Sequence, residues 1–145
     1  MITDTVEISR SPEDVFAYLD QLDRHREWQT QIVSAEVLTE GPPRVGTRVA
    51  ETRKVGGREQ RFTWEITAHE PPRRSAFRGI DGPVRPVGTV TIEPADDGAS
   101  SRVRIDFDLE GYGLGKLFAP LARRHARKSI PEDQRRLKER LEAGA

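Results

Sequence analysis

From Thr63 to Leu109 the apolar residues recur at every second position, with Phe62, Trp64 and Ile66 in one run and Val103, Ile105, Phe107 and Leu109 in another. A spacing of two puts alternate side chains on opposite faces of a β-strand, so each strand has one apolar and one polar face. Turn formers separate the runs: Gly41-Pro42-Pro43, Gly56-Gly57, Pro71-Pro72, Gly82-Pro83 and Asp97-Gly98. Six strands fit between Ile32 and Leu109. A sheet with one apolar face must be covered, and the only long helical pattern left to cover it is Leu114–Leu141.

Composition narrows the function classes. A chain of 145 residues suits one domain, 1–145. Lys plus Arg equals Asp plus Glu at 24 each, so no global field draws the protein to nucleic acid or to a membrane. The absence of cysteine excludes disulfides, thiolate zinc sites and thiol nucleophiles. No stretch reaches the ~20 apolar residues of a membrane span and no leader-like segment opens the chain, which points to a cytoplasmic protein.

Ahead of the sheet, Asp4–Ser9 alternates Val6 and Ile8 with polar neighbours and reads as a first strand. Ser11-Pro12-Glu13-Asp14 then has a serine N-cap, proline at the first helical position and two acids in the first turn, a helix start. A second short helix is expected near Asp23–Trp28. In the last segment the stripe Leu114, Leu117, Phe118, Leu121, Ala122, His125, Ile130, Leu137, Leu141 is expected to face the sheet. Pro131, after Ser129-Ile130, predicts a kink or restart near Ser129, and Pro120 is tolerable only near the helix start.

Val55-Gly56-Gly57-Arg58 reads as a two-residue hairpin, because both central positions take positive φ without steric cost. Val55 opposite Arg58 pairs Arg53 with Gln60, Glu51 with Phe62 and Val49 with Trp64, each pair on one face. If Phe62 and Trp64 point inward, Glu51, Arg53 and Gln60 do too. Such polar groups survive inside only if paired, hydrated or used by a ligand. Glu51 and Arg53, two apart, can neutralise each other; alternatively the hairpin overhangs the helix and its inner face is wet.

The S-P-E-D-V-F-A-Y-L opening, His69-Glu70-Pro71-Pro72-Arg73-Arg74 and Gly88-Thr89-Val90-Thr91, in this order of elements, resemble the SRPBCC superfamily over nearly the whole chain. The branch is the polyketide cyclase/dehydrase-like one, related to START lipid-transfer domains and the birch-pollen allergen. The resemblance implies an α+β helix-grip fold: a seven-stranded curved antiparallel sheet wrapped around a long C-terminal helix, with two short helices after the first strand. It also implies a deep pocket between sheet and helix, but not a reaction.

Little in the sequence spells out chemistry. His25, His69 and His125 are isolated from one another and from carboxylates at metal-ligand spacing, so no metal and no cofactor is expected. Gly111-Tyr112-Gly113-Leu114-Gly115 lacks the spacing and the following strand of a dinucleotide loop and reads as a flexible entrance to the last helix. The expected function is binding of a small, largely apolar molecule (a lipid, polyketide or aromatic metabolite) by a monomer or homodimer. Trp28, Phe62, Trp64, Phe77, Val90, Phe107, Phe118 and Leu121 are the expected wall, and Glu51, Arg53, Gln60 and His125 the polar anchors. The cavity should exceed about 300 Å³. Two alternatives stand beside this. One is a cyclase, aromatase or dehydratase in which Glu51 and His125 move protons and Arg53 holds an enolate or carboxylate. The other uses the basic last helix (Arg123, Arg124, Arg127, Lys128, Arg135, Arg136, Lys138, Arg140) on lipid headgroups or nucleic acid; the lack of interleaved aromatic residues speaks against specific nucleic-acid binding.

Overall fold

A computed structural model describes every residue except Gly56, and of Val55 only the backbone. Seven strands form one curved antiparallel sheet: β1 (Ile2–Ile8), β2 (Ile32–Val37), β3 (Arg48–Val55), β4 (Arg58–Glu70), β5 (Arg74–Gly79), β6 (Val84–Ala95) and β7 (Ser100–Gly111). Their spatial order is β1-β7-β6-β5-β4-β3-β2, so β2 to β7 form a simple meander and β1 closes onto β7. This is the helix-grip arrangement.

Helix α1 (Pro12–Leu19) follows β1 and starts as the sequence dictates: Ser11 is extended, and its Oγ accepts a hydrogen bond from the Asp14 N–H at 3.2 Å. The second short helix is a 3-10 helix, Leu22–Glu27. Three residues per turn stack Leu22 and His25 in register on one side, and Trp28 caps the end in line with them.

The β3–β4 register is the one the alternation requires, with Val55 opposite Arg58, Arg53 opposite Gln60, Glu51 opposite Phe62 and Val49 opposite Trp64. Gly56 of the expected Gly56-Gly57 turn lies outside the described residues; Gly57 has the anticipated positive φ of 80°.

Helix α2 (Gly115–Glu142) runs 28 residues through both Pro120 and Pro131, and the helical assignment does not break or restart at Ser129. A proline removes one backbone bond, but tertiary burial of the flanking turns outweighs it: Ile130, Leu137 and Leu141 are buried against the core. The face that meets the sheet also differs from the expected stripe. Gly115, Ala119, Ala126 and Ile130 are buried, whereas Leu114, Leu117, Phe118 and Leu121 are exposed. Small residues let the helix sit close on β1, β7 and β6, and the bulky residues, about 90–170° round the helical wheel from that face, are left exposed.

Two core clusters lie under α2. Ile8, Val15, Phe16, Tyr18, Trp28, Ile92, Val103, Leu137 and Leu141 bind α1 and the C-terminal half of α2 to the sheet. Ile2, Leu109, Ala126 and Ile130, with Ile105, Phe107 and Ala122 against them, hold its middle.

Candidate functional site

A row of aromatic rings crosses the sheet from the strands α2 leaves uncovered to Phe107, which lies against α2. His25 stacks on Trp64 with centroids 6.2 Å apart and planes 6° apart. Trp64 meets Phe77 edge-on at 5.8 Å, and Phe77 lies 6.4 Å from Phe107. This row crosses from the 3-10 helix over β4 and β5 to β7. Gly88, between β5 and β7, makes it possible: a Cβ there would stand 2.7 Å from the Phe77 ring, so the Gly88-Thr89-Val90-Thr91 motif supplies the gap in which that ring lies.

Of the expected wall, Trp28 and Trp64 are buried, and Phe62, Phe77, Val90 and Phe107 are half-buried. Phe118 and Leu121 are exposed. The helical wheel turns these two, with His125, away from the buried alanine face toward the β2–β4 side. The contact of the His125 Nε2 with the Gln31 side chain, 2.8 Å away across the gap, fixes that direction. His125 therefore does not face the sheet as expected; it is exposed on the helix flank and meets the loop before β2. The clefts best formed among the described residues, of about 210 and 250 Å³, lie on the outside of the sheet, around Thr91, Arg102 and Arg104 and around Arg78, Arg85 and Tyr112, and not at the expected wall between sheet and helix. Both are smaller than ordinary ligand sites.

Polar groups gather beside the floor. Glu51 is 4% exposed and pairs with Arg53, whose Nε donates to its carboxylate at 3.3 Å. Arg53 also donates to the Gln29 side chain. Gln60, opposite Arg53 in the register, is exposed: the hairpin tip is wet on its inner face, while one residue pair further in the polar groups are covered.

Sequence spacing alone did not single out His25, Gln29 or Asp133. The His25 Nε2 donates to the Leu19 carbonyl at 2.7 Å, and burial pushes the imidazole pKa down, opposed by that bond and by the nearby Glu51 charge. Asp133 of α2, buried and 2.6 Å from the Arg136 guanidinium, has its pKa pushed up by burial, against the pull of Arg136 and Arg53. The signal for His25 was the three-residue spacing Leu22-His25-Trp28, meaningful only for a 3-10 helix. His69 serves elsewhere, contacting both oxygens of Asp20 at 3.0 Å and tying β4 to the end of α1.

One buried polar side-chain atom among the described residues has no hydrogen-bond partner: the indole N–H of Trp28. Its ring lies 5.4 Å from His25, beside the polar group. A buried donor left unpaired is costly and uncommon.

The same architecture occurs in known proteins. An uncharacterized protein of Mycobacterium tuberculosis is 24% identical over 138 residues, covering 93% of this chain and 92% of its own. A START superfamily protein from Mycobacterium smegmatis superposes with a TM-score of 0.81 at 15% identity, covering 99% of this chain and 98% of that one. The Zhui aromatase/cyclase from Streptomyces sp. R1128 superposes with a TM-score of 0.78 at 15% identity, over 96% and 91% of the two chains. At such identities the structural likenesses speak for the fold alone. The family model for polyketide cyclase / dehydrase and lipid transport matches residues 1–142, and the chain belongs to that family of the SRPBCC superfamily.

Proposed function

We propose that the protein binds a small, largely apolar molecule between the floor His25-Trp64-Phe77-Phe107 and the α2 flank bearing Phe118 and Leu121. The observation that carries this reading is the continuous row of aromatic rings on the sheet together with Phe118 and Leu121 left exposed on α2. Exposed large apolar groups near an aromatic surface favour an apolar guest. The neighbouring polar groups narrow the guest. Glu51 and Arg53 neutralise one another, as do Asp133 and Arg136, and burial disfavours a charge on His25. A formally charged head gains little there. An oxygen acceptor, such as a carbonyl or hydroxyl, suits the unpartnered Trp28 N–H.

Titration with the neutral fluorophore N-phenyl-1-naphthylamine tests the site. Leu121→Asp, on an exposed position, should fold normally and weaken probe binding at least tenfold, roughly what losing half a buried leucine side chain does. Unchanged affinity in this variant removes that space as the binding site. Native mass spectrometry of protein from its own host should then show a retained neutral molecule.

The cyclase or dehydratase reading stands second. It is favoured by the buried Glu51 carboxylate lying near enough to His25 to oppose the fall that burial imposes on the imidazole pKa, and it moves the proton-transfer role from His125 to His25.

A further inference from the structure

From Gly111 to Pro131 the chain has five basic residues, Lys116, Arg123, Arg124, Arg127 and Lys128, and no acidic one. Arg123 is bound to Asp108 at 2.9 Å. Among the described residues the other four are exposed and make no ion pair. The second half of α2 is different: Arg135, Arg136 and Lys138 pair with Glu139, Asp133 and Glu142. Lys116 lies within the two turns that expose Leu114 (76%), Leu117 (74%), Phe118 (58%) and Leu121 (67%), and Arg124, Arg127 and Lys128 lie in the two turns that follow. On the helical wheel these four apolar residues span about 100°; Arg124 borders them about 20° beyond Leu117, and Lys128 continues the same strip towards the C-terminal end.

We infer that the first half of α2 is a docking surface for an anionic lipid bilayer, with Leu114 and Leu117 entering the acyl boundary and Lys116, Arg124, Arg127 and Lys128 lying among the headgroups. An apolar strip edged by cations is the pattern of an interfacial helix, and each cation near an anionic leaflet adds to the attraction. Charge decides among the occupants. A second copy meeting this face through a two-fold axis would set four cations against four cations with no acid between them. A nucleic acid would leave the leucines facing phosphates, with Phe118 the one aromatic available for stacking. The strip shares Phe118 and Leu121 with the ligand reading, so the two are separated at Leu114 and Leu117, which lie outside the residues assigned to the guest.

Flotation with vesicles of phosphatidylcholine alone and of phosphatidylcholine with 30% phosphatidylglycerol tests it. The protein should float with the mixed vesicles and not with the neutral ones, and raising salt from 0.05 to 0.3 M should weaken binding at least tenfold. Leu114→Ser/Leu117→Ser and, separately, Arg124→Glu/Lys128→Glu should each weaken binding at least tenfold while leaving the thermal midpoint and N-phenyl-1-naphthylamine affinity unchanged. No flotation at low salt overturns the inference. So does flotation that survives the leucine substitutions, which would reduce the contact to charge alone, or a concentration-dependent dimer that Leu117→Ser dissolves without any vesicle binding.

Discussion

Gly115 sits against Pro83 so closely that a Cβ on the glycine would fall 1.8 Å from the Pro83 carbonyl oxygen. The contact joins the first residue of α2 to the turn before β6, and the Tyr112 N–H donates to the same oxygen at 2.8 Å. The glycine-rich segment expected to be a loose entrance to the helix is thus a tight crossing.

Gly115→Ala should destabilise the fold by about 2–3 kcal/mol, since backbone rather than a flexible side chain must move. Gly113→Ala is the control: nothing lies within 4 Å of its Cβ position, and only its φ of 58° opposes the change, a penalty of about 1 kcal/mol. Urea unfolding of both variants measures the difference.

Arg53→Met should cost about 3 kcal/mol by leaving the Glu51 carboxylate buried without its partner. Glu51→Gln/Arg53→Met should recover most of that loss. A double-mutant cycle by urea unfolding reads the coupling; additive effects would mean that the pair is not a unit.

How far the sequence revealed these features depended on which period carried the information. Strict alternation through Phe62-Trp64-Ile66, with two glycines at one tip, defined the β3–β4 register residue by residue, because a one-residue slip would turn every apolar side chain outward. The helix face was misread because bulk was taken for burial. On α2 Ala119 and Ala126 are buried and Phe118 and Leu121 are not, a choice set by how near the helix lies to the sheet, which no single chain segment encodes. His25 escaped notice for a related reason: its neighbours align at three residues per turn, and its partner Trp64 is 39 positions away.

Stability should fall in mild acid through His25. Burial holds its folded pKa below the ordinary 6.5, so as pH drops below that value the unfolded chain takes up a proton that the folded one resists. The contribution is complete above about pH 6.5 and is lost toward the lower folded value. His25→Phe should flatten the decline in unfolding free energy, read from urea titrations between pH 7 and 5.5, by up to roughly 1 kcal/mol. An identical slope in both proteins would assign the acid sensitivity to other groups.

Amide exchange should divide α2 in two. Ile130, Leu137 and Leu141 anchor its second half in the core, while alanines alone bury its first half. Amides of residues 119–126 should exchange at least tenfold faster than those of 134–141 by hydrogen–deuterium mass spectrometry. Uniform protection would mean that the helix opens only with the whole fold.

The unpaired cations at the front of α2 belong to a chain whose positive and negative charges balance at 24 each. A molecule neutral in sum but lopsided in arrangement carries a permanent electric moment. It drifts little in a uniform field yet rotates readily in one, so near a negatively charged boundary it would arrive already turned, front of α2 first, with capture hastened as ionic strength falls.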